Sequence, residues 1–176
     1  MKSDVIQIDN KGNGFDNAIT ETKKIAEFRG LNHKESLRLQ IMAEEMLGLA
    51  RSVTGEMQAS FWVESEDKFF ELHMTTKTVM DKEKRYQLLS SATSRKNEAA
   101  NSFLGKLRDA FEEAMTAEAD KTFYELPDDV MGDFVTRHID DSEWDRYERS
   151  ILRRLADDIK IAIKGGLVSM TVCKKF

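Results

Sequence analysis

The side chains able to do chemistry in this 176-residue chain are few and scattered. Its three histidines, His33, His73 and His138, fall in a helix-cap region, a strand and a helix end. No two stand at a metal-ligand spacing such as i, i+4 on one helix, so no metal site is expected. The lone Cys173 lies near the end of the last strand, with no sequence neighbour to lower its pKa, and it cannot close an internal disulfide. Ser90-Ser91 lacks a G-x-S-x-G context, which leaves a hydrolase triad without support. Trp62 and Trp144 read as core or edge residues rather than ligand platforms. Trp144, Tyr147 and Ile151 share a helical spacing that most simply packs on a sheet.

The composition narrows the classes further. Hydrophobic residues make up 40% and charged residues 34%, too apolar for a disordered chain. The length suits one domain spanning 1–176. The net charge is −5, with Lys and Arg interleaved among Asp and Glu, whereas nucleic-acid binding needs a basic surplus to neutralise phosphates. No run approaches the roughly 20 apolar residues that span a bilayer. Met1-Lys2-Ser3-Asp4-Val5 has no apolar signal region. Neither nucleic acid nor membrane is therefore an expected partner, and with a single cysteine the expected location is cytoplasmic.

The elements that would position these groups follow from periodicity. Val5-Ile6-Gln7-Ile8 predicts a short strand, and Lys11-Gly12-Asn13-Gly14 a turn. Phe15, Ile19, Ile25 and Phe28 predict a helix ending at Gly30. Asn32 with Glu35 forms a capping-box pattern for a second helix running to about Val53, with Leu37, Ile41, Glu44, Glu45, Leu47 and Gly48 on or near one face. The period then changes to two. Ser60–Glu64 and Phe70–Met74 predict a hairpin with Phe70, Leu72 and Met74 inward and Glu71 and His73 outward. Residues 81 to about 120 predict helix, with Tyr86 and Leu89 and then Phe103, Leu107, Phe111 and Met115 as apolar stripes and a polar break at 94–102. Further helices are predicted at 128–139 and 143–156. Ile159–Lys164 and Val168–Cys173 flank Gly165-Gly166 as a second hairpin. The predicted fold is α+β: a two-layer sandwich of a mixed, mostly antiparallel sheet packed against helices. Its scaffold is 1–80 and 141–176, with a helical insertion at about 81–140.

The order strand, helix, helix, hairpin, variable region, helix, hairpin resembles the ATPase domain shared by histidine kinases and anti-sigma-factor serine kinases. Two segments carry the resemblance. Leu37–Ala50, LRLQIMAEEMLGLA, is similar to the helix bearing that family's Glu-x-x-x-Asn box, and Ile151–Phe176 is similar to its last helix and closing hairpin. The resemblance implies that Glu44 takes the place of the glutamate that activates water, and Gly48 that of the asparagine that binds Mg²⁺. Glycine offers no ligand oxygen, and Mg²⁺ demands near-octahedral oxygen donors. The family's Asp-x-Gly-x-Gly loop corresponds to Thr75-Thr76-Lys77-Thr78-Val79-Met80-Asp81, which has no glycine. Its second glycine loop corresponds to 142–149, which has none either and carries three acids. The threonine after the hairpin glycine is Leu167. Such glycines let backbone N–H groups approach phosphates.

Glu44 is thus the candidate catalytic base, and Glu44 with Gly48 the candidate nucleotide or ligand pocket. Against these stand a solvated or ion-paired carboxylate and a glycine that lets its helix pack closely on the sheet. The reading that follows is a non-catalytic regulatory protein on a degenerate ATPase-type fold, with no cofactor and with another protein or a second copy of itself as partner. Two alternatives stay open: an anti-sigma-type serine kinase or ATPase using ATP and Mg²⁺, and an α+β domain holding a small ligand.

Overall fold

The computed structural model describes residues 1–9, 11–54, 58–100 and 151–176. Among the described residues five strands form one sheet: β1 (Ile6–Ile8), β2 (Ala59–Glu66), β3 (Phe69–Lys77), β4 (Asp158–Lys164) and β5 (Leu167–Lys175). Their order is β1-β2-β3-β5-β4 and every ladder is antiparallel, which is the arrangement that joins the two hairpins edge to edge. The fold is α+β as predicted. The expected mixed character shrinks, among the described residues, to one isolated parallel bridge, Asn97 to Ile161. The helices among the described residues are α1 (Phe15–Phe28), α2 (His33–Thr54), α3 (Lys82–Ser91) and α4 (Ile151–Leu155), with a 3-10 turn at Glu98–Ala100. The helices expected at 103–139 and most of that at 143–156 lie outside the described residues. Among those described, no helix is long and apolar enough to cross a membrane.

Alternation along the strands sets the sheet's two faces. Phe61 and Val63, Phe70, Leu72 and Met74, Ile159, Ile161 and Ile163, and Val168, Met170 and Val172 all point to one buried core. The alternate residues form a half-buried polar face on the other side. The β4–β5 turn is made by Gly165 and Gly166, at φ 55° and 76°, the left-handed pair that a tight hairpin favours. A side chain at Gly166 would also press on the end of β3, its Cβ lying 2.7 Å from the Thr78 carbonyl oxygen.

The N-terminal residues extend β1 along β2, with one change of register. Ile6 pairs with Phe61, while Lys2 bridges to Glu64, one residue out of step. A single-residue slip turns the flanking side chains to the opposite face. Ile6 and Ile8 therefore pack toward the core, whereas Lys2 lies against Trp62 and Glu64 on the polar face.

Asn32 and Glu35 close the predicted capping box: the Glu35 amide donates to Asn32 Oδ1 at 3.1 Å and the Asn32 amide to Glu35 Oε2 at 2.8 Å. The buried face of α2 is Leu39, Met42, Ala43, Met46, Leu47 and Ala50, not the stripe through Leu37, Ile41 and Gly48. Apolar residues surround this helix, and burial goes to the side on which methionines and alanines fit against α1, β5 and α4. On α1, Phe28 is likewise 73% exposed, and the small residues Ala18, Thr22 and Ala26 join Ile25 inside. On α3 the buried residues are Arg85, Leu88 and Ser91, and Tyr86 faces outward.

The outer edge of β4 is covered rather than left open to pairing. The Thr93 amide donates to the Ile159 carbonyl and the Thr93 hydroxyl accepts from the Ile159 amide. Asn97, buried at 5% exposure, accepts from the Ile163 amide at 2.8 Å and donates to its carbonyl at 3.0 Å, so a side-chain amide stands in for a strand.

Candidate functional site

The box residues of α2 lie on its outer surface. Glu44 is exposed, and so is Gly48. A Cβ at Gly48 would meet nothing within 4 Å among the described residues, the sheet included, which corrects the expectation that this glycine permits close packing on the sheet. The physical reason is helical phase: positions 44 and 48 share the side opposite the buried Leu39, Met42, Met46 and Ala50.

The segment from Thr75 to Asp81, which the resemblance would make an adenine-reading loop, is tied down locally. The Thr78 amide donates to the Gly166 carbonyl at 2.9 Å, so the end of β3 is bound to the β4–β5 turn. Asp81 accepts from the Lys84 amide at 2.7 Å and caps α3. Lys84 folds its ammonium back onto the Val79 carbonyl at 3.2 Å and lies 3.7 Å from the Asp81 carboxylate. The aspartate in this stretch thus has a structural role as a helix cap. The corresponding loop at 142–149 lies outside the described residues.

Polar chemistry gathers elsewhere, on the sheet face turned away from the core. The hairpin register sets Trp62 opposite His73 and Glu64 opposite Glu71, and β5 brings Thr171 beside His73 and Cys173 beside Glu71. The Trp62 and His73 rings stack at a centroid separation of 5.0 Å and an interplanar angle of 11°. Lys2 sits 4.8 Å over the Trp62 ring. Trp62 Nε1 donates to Glu64 Oε1 at 2.9 Å, and Lys2 Nζ reaches the same oxygen at 3.1 Å. These two donors hold the Glu64 carboxyl below its ordinary value. His73 Nδ1 meets the Thr171 hydroxyl at 3.1 Å, and Glu71 Oε2 stands 3.7 Å from Nε2. Burial holds the imidazole below its ordinary range, against the pull of Glu64 and Glu71. The Cys173 thiol approaches Glu71 Oε1 at 3.6 Å, and burial raises it to about 11, so it stays protonated and unreactive near neutral pH.

His33 is an exposed residue at the start of α2, and His138 lies outside the described residues. Cross-strand pairing nonetheless surrounds His73 with two carboxylates, which separation along the chain conceals. The available signal was the turn: a two-residue connection at Asp67-Lys68 puts Trp62 across from His73 and Glu64 across from Glu71. Comparison with protein-family models finds none that matches the chain, and comparison with curated proteins finds no match.

Proposed function

We propose that this chain is a non-catalytic regulatory module on a degenerate histidine-kinase-type ATPase scaffold, acting in the cytoplasm by binding another protein or a second copy of itself. The observation that carries the reading is the state of α2 and β3. Glu44 projects from an exposed helix face, and the position that would seat the metal is a glycine with no described residue within 4 Å of where a Cβ would stand. The strand end that would lead into a glycine loop is instead bonded to the neighbouring turn and runs into a capped helix. A base with no bound phosphate to act upon has no reaction to catalyse. Support for the scaffold comes from the two hairpins lying in one sheet and from a core shared between that sheet, α1 and α2.

Calorimetric titration of the full chain with Mg·ATP tests this. The expected result is no saturable heat at sub-millimolar nucleotide, in the native chain and in Glu44→Ala alike. Gly48→Asn, which restores the family's ligand oxygen alone, is expected to change nothing, because the phosphate-wrapping backbone is still missing. Sub-millimolar binding that weakens in Glu44→Ala would instead mean an active nucleotide site.

A further inference from the structure

We propose that Glu64, Glu71 and His73 form a binding site for a divalent transition metal of the zinc class, on the face of the sheet turned away from the core. One ligand atom from each lies within 4.8 Å of the other two. Imidazole and carboxylates together are a donor set that zinc accepts, and three protein donors leave a fourth position for water.

The state of His73 Nε2 points to a missing cation. This nitrogen is sealed from solvent and has no hydrogen-bond partner among the described residues. Buried polar atoms are rarely left so. Both neutral tautomers leave a fault. With the proton on Nε2, a buried donor has no acceptor in range, since Glu71 Oε2 is 3.7 Å away. With the proton on Nδ1 and donated to Thr171 Oγ1 at 3.1 Å, the buried Nε2 lone pair has no donor among the described residues and lies 3.7 Å from the Glu71 carboxylate. A metal ion among the three groups removes the second fault and uses the Nδ1–H to Thr171 bond as the outer contact that metal-bound histidines commonly make. The ring is already held, stacked flat on Trp62.

The carboxylates retain capacity. The bonds from Trp62 and Lys2 both engage Oε1 of Glu64, and the thiol of Cys173 contacts Oε1 of Glu71. Around an ion bound at about 2.1 Å, tetrahedral donors stand about 3.4 Å apart, so the three, which lie within 4.8 Å of one another, must close by up to about 1.4 Å, a side-chain adjustment. Lys2, whose ammonium neutralises Glu64 in the absence of metal, is the competitor that the ion displaces.

Calorimetric titration of the chelator-stripped full chain with ZnCl₂ near neutral pH tests the site. One Zn²⁺ per chain is expected, with His73→Gln and Glu71→Gln each weakening affinity at least about tenfold, the lower end of what even outer contacts contribute. Lys2→Ala, which removes the competing charge, is expected to tighten binding several-fold. Melting curves of the metal-free variants check that each folds, and Glu64→Gln, isosteric and half-exposed, replaces any that does not. No binding below millimolar Zn²⁺, or equal affinity in the native chain and the carboxamide variants, would overturn the assignment.

Discussion

At the residue scale, Gly48 is not the packing device that the sequence suggested. Its φ is not left-handed and no described residue crowds it, so nothing among the described residues requires glycine there. Helix propensity alone then decides the outcome. Gly48→Ala is expected to stabilise the chain by about 1 kcal/mol, which for a protein of this size raises Tm by about 2–4 °C. A loss of stability on thermal denaturation would show that the α2 face is covered. His73 gives a second prediction. Burial is the largest influence on its imidazole and holds it below 6.5, outweighing Glu64 and Glu71, while Lys2 and Lys160 act in the same direction as burial. The folded chain therefore takes up fewer protons there than the unfolded chain. Its contribution is fully present above the unfolded value of 6.5 and is lost as pH falls from there through the folded value. In chelator-treated buffer, Tm is expected to fall on acidification below neutral, and His73→Gln is expected to flatten that slope. Identical slopes in the two proteins would show that His73 does not titrate as described.

At the scale of elements, α2 shows how a helix can be recognised while its orientation is not. Its start was legible in Asn32 and Glu35, because a capping box is a local hydrogen-bonding pattern. Its buried side was not. Leu37 and Ile41 form as good an apolar stripe as Met42 and Met46, and only the shape of α1, α4 and β5 chooses between them. The choice has a measurable consequence. Met46→Ala, at a fully buried position, is expected to cost about 2–5 kcal/mol. Leu37→Ala, at a position 47% exposed, is expected to cost about 0.5 kcal/mol or less. Chemical denaturation of the two variants checks the ranking, and a reversed order would place the 37–48 face in the core. The strands were more legible, because a period of two with glycine or Asp-Lys turns leaves few registers open. Even so, the slip between Ile6 and Lys2 has no sequence mark, and that slip is what brings a lysine to the Glu64 carboxylate.

At the scale of the whole molecule, the α+β architecture followed from the order of periodicities, and the joining of the hairpins into one sheet followed from the pairing of β3 with β5. The polar cluster around His73 did not follow. It is assembled from the N-terminal segment, β2, β3 and β5, which meet only through long-range pairing. The box residues were legible as residues, while their exposure depended on helical phase. Hydrogen–deuterium exchange of the full chain with and without millimolar Mg·ATP is the most direct measurement of whether the proposed module binds nucleotide. Unchanged exchange across residues 37–50 and 75–81 is the predicted result. Nucleotide-dependent protection at Glu44, Gly48 and the segment following β3 would contradict the account.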